Sequence, residues 1–291
     1  MIKNNESMWG FGVVVYRGGK LEALNNESKG IIQGSNGVSL HGGSIDKLNN
    51  NGKILGTSSS GIYLGDISNE SIKTLNNGKT GIIEGKNHGI MFYGHSGKID
   101  TINNAGTIKG GYNGIHIEVA NSGNGVGNIT NSGLIVGNSN GIYNNNGSLS
   151  DITVKDGGSI YGGGDSGIAS TGNRQIGNIF VEGKGSLIYG NWNGINLKTY
   201  SNKDISIKNG ASILGKQGDG LHLHGGNQTN KISLDGENSL IGGGRNAIAN
   251  YGEINQGISL NDNATIAALT FSEDGNSYTY NQEGTAILNE G

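Results

Sequence analysis

Residues Ile99–Ile117 read IDTINNAGTIKGGYNGIHI. An apolar pair is followed by Asn103-Asn104, then Gly106-Thr107-Ile108-Lys109-Gly110, a short turn, and Gly114-Ile115-His116-Ile117. Versions of this stretch recur along the chain, and a fixed internal period decides the architecture before any local reading does. The small residue ahead of each Gly-Ile element marks the copies: Gly12, Gly37, Gly61, Gly89, Gly114, Gly141, Gly167, Gly194, Gly220 and Ala247. Nine intervals cover residues 12 to 247, a period of about 26 residues. The next marker, Ala286, follows a longer interval and implies an insertion.

This register aligns three apolar columns. One runs from Val13 and Val38 through Ile90, Ile115 and Ile142 to Leu221 and Ile248. A second runs from Ile32 and Ile54 through Ile108, Ile135 and Ile188 to Ile213, Leu240 and Ile266. A third runs from Leu24 and Leu48 through Ile102, Ile129 and Val154 to Leu234 and Leu260. Apolar residues alternate with polar ones around each column, which is the period of a strand and not of a helix. Each repeat therefore holds three short strands joined by Gly/Asn corners, residues that tolerate positive φ.

A single repeat buries about four or five aliphatic side chains, each contributing roughly 1.5–3 kcal/mol. Ordering its backbone costs about 1–2 kcal/mol per residue, so one repeat alone does not fold. Stacking at about 4.8 Å per rung adds inter-rung hydrogen bonds and a continuous core. The expected fold is an all-β, right-handed parallel β-helix of about ten rungs. A propeller blade needs about 40–45 residues, and a coiled-coil stalk needs heptads that are missing here.

Residues 1–20 read as a lead-in and partial first rung, with Trp9 and Phe11 as cap packing. Residues 21–269 are the β-helix repeats, and 270–291 a loop insertion and the start of a further rung. Both ends read as cut from a longer chain whose missing parts cap the helix. The Ile-x-x-Leu opening of Ile45–Leu48 and Ile72–Leu75 becomes Ile-x-Val at Ile152–Val154, a change of repeat subtype with altered corner geometry.

The 291 residues include 57 glycines and no proline, which excludes a proline-rich linker or collagen. The net charge of −3 comes with scattered Lys and Arg, whereas nucleic-acid binding calls for a basic stripe. No apolar run approaches the ~20 residues of a membrane span, and MIKNNESMWG lacks the apolar core of a signal peptide. With no cysteine there are no disulfides and no zinc-thiolate sites, as suits a chain that crosses membranes unfolded.

Hydrolytic chemistry on such a scaffold needs two carboxyls about 5–10 Å apart. Asp46 and Asp100 share a register but have Lys73 between them, and Asp151, Asp204 and Asp219 do not align. No catalytic residue is assigned, and the chain is not expected to be an enzyme. In Asp219–Gly226, Leu221 and Leu223 should point inward and place His222 and His224 together outside, with Asp219 as a further oxygen donor. Without a fourth ligand, no metal and no cofactor is assigned.

Two surface features remain. The position before the glycine of the second strand is mostly polar in early rungs (Gln33, Leu55, Glu84, Lys109) but becomes Val136, Tyr161, Tyr189, Leu214 and Ile241 later, with Trp192 nearby. A contiguous apolar ridge of this kind is a candidate protein-contact strip. The longest insertion, FSEDGNSYTYNQEG, carries Asp274, Tyr278 and Tyr280 and is a candidate binding loop, since loops on a rigid scaffold tend to carry function.

The combination in Asn131–Gly137 with Gly141–Tyr143, Asn-x-Gly-x-Ile-x-Gly followed by Gly-Ile, resembles the passenger-domain repeats of Gram-negative autotransporters (type V secretion), adhesin-like or vacuolating-cytotoxin-like. That resemblance covers nearly the whole chain. It implies export through the outer membrane by a translocator barrel in the parent chain, and display at the cell surface or release. It further implies a role as an adhesin or host-interaction scaffold, with a host-cell receptor, a glycan or a sister cell as partner. Alternatives are a cell-binding or oligomerising subunit of vacuolating-toxin type, or a carbohydrate-active β-helix enzyme.

Overall fold

The computed structural model of the chain describes residues 2–3, 10–65, 70–94, 97–119, 124–172, 174, 176–198, 202–275 and 277–290. Trp9 lies outside them. Three parallel sheets run the length of a solenoid of about nine turns, close to the ten rungs expected, with no helix among the described residues. Sheet A collects Ile31–Gly34, Lys53–Gly56, Ile82–Gly85, Thr107–Gly110 and their successors. Sheet B collects the Gly-Ile strands Val38–His41, Ser60–Gly65, His88–Gly94, Asn113–Val119 and onward, and sheet C those of the Lys20–Asn26 and Ser44–Asn50 type. Strand pairing extends from Ile2–Lys3, against Ile32–Gln33, to Thr285–Asn289, against Asn246–Asn250.

Register is set by which side chains can face the interior. Ile108 lies between Ile83 and Ile135 in sheet A, Ile115 between Ile90 and Ile142 in sheet B, and Ile102 between Leu75 and Ile129 in sheet C. All of these are shielded from solvent. A one-residue slip would turn such a column outward, so the aliphatic pattern specifies the pairing strongly. The marker glycines have a different cause from the one expected, because none has positive φ. A Cβ on Gly114 would lie 2.6 Å from the Gly141 carbonyl oxygen and 2.8 Å from Ile135 Cγ2. The rungs approach too closely at the nine glycine copies for a side chain without a shift of the backbone, and a methyl enters this column only at Ala247 and Ala286. Positive φ is used elsewhere, at Asn146, Asp156 and Asn209.

Two columns differ from the sequence reading. In sheet A the residue aligned with Ile213 and Ile266 is Ile241, in the core; Leu240 aligns with Ser212 and Thr265 instead. In sheet C, Ile129 pairs with Ile152, so Val154 falls beside Asn131. From there Val154, Val181, Ile207 and Leu234 occupy a position that earlier rungs give to asparagine.

That asparagine position is a buried ladder. Asn26 Nδ2 donates to Asn50 Oδ1 at 2.7 Å, Asn50 to Asn77 at 2.8 Å, Asn77 to Asn104 at 2.8 Å and Asn104 to Asn131 at 2.7 Å. The amide hydrogens left over reach main-chain carbonyls such as Thr107 O and Leu134 O. Every amide is satisfied in a place where an orphaned polar group would be costly. A second, more exposed ladder runs beside it with the opposite polarity, Asn103 donating to Asn76 and Asn76 to Asn49.

Candidate binding surfaces

The late apolar strip and the long insertion meet. Strand Thr265–Phe271 continues past its pairing with sheet A and turns back as an antiparallel hairpin with Tyr278–Tyr280. Leu269 packs with Tyr189, Leu214 and Leu240, and Leu187, Ala267 and Phe271 close around them. Lys216 Nζ holds the hairpin tip through the Glu273 carbonyl at 2.7 Å. Tyr189 and Leu214 are therefore covered, and Ile241 is part of the core. The open strip is reduced to half-buried Val136 and exposed Tyr161, whose ring stacks on Tyr189 at 4.9 Å. Burial, then the neighbouring Tyr161, pushes the Tyr189 hydroxyl up to about 12. On the hairpin itself Asp274 accepts from Ser272 Oγ, while Tyr278 and Tyr280 remain exposed.

His222 and His224 do sit together on the outer side of sheet B, rings 4.4 Å apart, with Leu221 and Leu223 buried beneath. Asp219, however, is fully buried and committed. It accepts from His222 Nδ1 at 2.6 Å, from Asn246 Nδ2 at 2.8 Å and from Arg245 through both Nε and an NH2 group. Burial alone would raise its pKa, but these donors outweigh burial and hold it at about 2. His224 Nε2 bonds Asn196 Oδ1. The set is a closed polar network, and no metal-competent group of ligands occurs among the described residues. Asp46 is likewise engaged, by Lys73 at 2.9 Å and Lys20 at 3.0 Å, and Asp100 by Lys98 at 2.7 Å.

A third surface, not singled out from sequence, lies at the corner where sheet A turns into sheet B. Two columns of residues stack there. Main-chain hydrogen bonds link Asn87, Tyr112, Ser139, Asp165 and Trp192 from rung to rung in one of them. Trp192 belongs here, and not to the strip. The next residue along is usually an amide, and Asn113 and Asn140 each accept the N–H of the following rung through Oδ1. His88 occupies that amide position one rung before Asn113.

Together these residues form an open cleft of about 480 Å³. Its aromatic lining is His88, Tyr112, His116 and Tyr143, with ring centroids 4.5 Å apart for His88–His116 and 5.1 Å for His116–Tyr143. Its polar lining is Asn113, Ser139, Asn140 and Asp165. The hydrogen bonds fix the tautomer of His116. Asn113 Oδ1 accepts from the Asn140 N–H, so its NH2 group donates to His116 Nδ1 at 2.9 Å, and the ring proton sits on Nε2. That Nε2 lies 3.3 Å from Glu118 Oε2 without the alignment of a hydrogen bond, and His88 Nδ1 also lacks a partner. Burial, then His116, pulls the pKa of His88 down to about 4, and burial lowers that of His116 against the pull of Glu118. The floor of the cleft is thus uncharged at neutral pH.

The chain matches no protein-family model, no curated protein and no solved structure.

Proposed function

We propose that this chain is the passenger part of an autotransporter-like surface protein and acts as an adhesin, binding a partner and not transforming it. One observation carries the reading. Behind an outer surface that changes from rung to rung, the core columns repeat with little variation, so a rigid lattice holds diverse side chains at fixed spacing. Such a scaffold suits recognition, since a preorganised surface loses little conformational freedom on binding. Three of the five carboxylates weighed for chemistry point the same way, because Asp46, Asp100 and Asp219 are paired with cations, while Asp151 and Asp204 accept from Asn178 and Asn230. Export as a passenger rests on the repeat texture of Asn131–Gly137 and Gly141–Tyr143 within a parallel solenoid.

The test is antibody labelling of intact cells that express the parent chain, followed by blocking of adhesion with the same antibody. Labelling without permeabilisation, together with reduced attachment to target cells, supports the proposal. Labelling only after permeabilisation contradicts display at the surface.

A further inference from the structure

We infer that the cleft lined by Tyr112, His116, Tyr143 and Asp165 is a binding site for an uncharged oligosaccharide. The inference rests on the adhesin reading and names the class of partner. Four features of the cleft argue for it.

The first is ring presentation. Tyr112 is 61% exposed, so a flat π face stands free at the surface, with half-buried Tyr143 beside it and the largely covered His116 beneath. Pyranose rings present apolar C–H faces that stack on such surfaces, and the tyrosines do this with few rotamers to lose. The second is the density of groups that pair with hydroxyls. Ser139, Asn140 and the Asp165 carboxylate line the same cleft, and Asp165 spends one oxygen on Ser166 Oγ at 3.0 Å. A carboxylate accepts from two neighbouring hydroxyls at once, an arrangement that sugars offer and peptide backbones do not.

The third feature is charge. The lining contains neither Lys nor Arg, and its imidazoles are held neutral by burial. A phosphate, sulfate or sialic acid would meet Asp165 with nothing to neutralise it, so anionic ligands are disfavoured. The fourth is the repeat itself. The cleft is assembled from four successive rungs, at His88, Tyr112–His116, Ser139–Tyr143 and Asp165. Rungs recur every ~4.8 Å, close to the rise of one sugar unit in an extended chain, so the different groups on successive rungs are spaced to meet successive sugars. Trp192, 45% exposed, follows Asp165 in the same column and offers a further stacking face one rung beyond.

The experiment is a glycan array holding neutral and acidic oligosaccharides, then calorimetric titration of the best neutral binder. It uses the full chain, Tyr112→Ala, Asp165→Asn and the control Tyr16→Ala, an exposed tyrosine of the first rungs, each checked by circular dichroism. Tyr112 and Asp165 lie at the surface, so their replacement should leave the strand signal intact. The expected result is binding of neutral oligosaccharides that weakens at least about tenfold in both cleft variants and is unchanged in Tyr16→Ala. Neutral binding that survives both cleft changes, or binding confined to acidic glycans, would overturn the inference. So would an empty array from a protein that still attaches to cells, an outcome that leaves the adhesin reading standing. Absence of attachment to cells as well would remove both.

Discussion

Val154 stands in register with Asn131, one rung on, at the same buried position of sheet C. The contact marks the place where one solution to a packing problem replaces another. On the N-terminal side the position is filled by a hydrogen-bonded column of amides, on the C-terminal side by Val154, Val181, Ile207 and Leu234. An amide ladder is acceptable in a core only when complete, and an aliphatic one asks nothing of its neighbours. The change of opening motif at Ile152–Val154 is the sequence trace of that switch.

Breaking the ladder in its middle should therefore be expensive. Asn104→Ala removes the acceptor of Asn77 and the donor to Asn131 Oδ1, leaving both short of a partner. We expect a loss of about 2–4 kcal/mol from unsatisfied groups of this kind, read as a lower denaturation midpoint in urea. A change of less than about 0.5 kcal/mol, ordinary for a surface site, would show that the ladder does not hold the corner.

The marker glycines make a second prediction. In Gly141→Ala the new methyl would lie 2.6 Å from Ile160 Cγ2 and 2.7 Å from the Gly167 carbonyl oxygen. Overpacking of this kind costs typically 1–3 kcal/mol. Gly225→Ala, where the nearest atom is Tyr251 O at 3.6 Å, should shift the thermal midpoint little. Equal effects at the two sites would contradict the close-approach explanation.

The aliphatic columns were readable because each is one kind of residue repeated at one interval. The asparagine ladder recurs at the same interval, at 26, 50, 77, 104 and 131, yet reads as a run of corner residues when Asn is credited only with tolerance of positive φ. Its burial was the hidden fact, and the shared period was its signal. Leu240-Ile241 ahead of three glycines left the register open by one residue, and only pairing with Ile213 settles it. Asp219 looked like an outward ligand because Arg245 and Asn246, its partners, arrive a full repeat later. The cleft could not be seen at all, since its residues come from four rungs and no stretch of sequence places them together.

Stability should fall in two stages on acidification. His88 and His224 are held at about 4, by burial first and then by neighbouring imidazoles. Unfolding frees them to protonate near the ordinary 6.5, so the unfolded chain binds more protons below that pH. Their contribution is complete above pH 6.5 and is lost toward pH 4, at most about 1.4 kcal/mol per pH unit for each. Asp219, held at about 2, adds a contribution that is present above pH 4 and disappears as pH approaches 2. Thermal midpoints measured from pH 7.5 to 4.5 should decline, and His88→Asn, which places at this position the residue that Asn113 supplies one rung on, should flatten the slope. A midpoint independent of pH would refute the assignment.

The hairpin over sheet A should be separable from the solenoid. Leu269→Ala empties the centre of the small cluster with Tyr189, Leu214 and Leu240, and a truncation of this type costs about 2–5 kcal/mol where the site cannot collapse. Because that cluster lies outside the main core, the loss should appear as faster hydrogen exchange in Thr265–Phe271 and Tyr278–Tyr280 and as Tyr189 ionising below about 12. Exchange that speeds up equally along the whole solenoid would mean that the hairpin is integral to it.

The claim that this scaffold binds its partner without altering it is tested most directly by titrating labelled protein onto target cells and following the bound fraction for hours, while the supernatant is assayed for released saccharide. The account predicts saturable binding that holds steady, with no new saccharide ends in solution. Binding without a saturable component, or a plateau that decays as fragments appear, would contradict it.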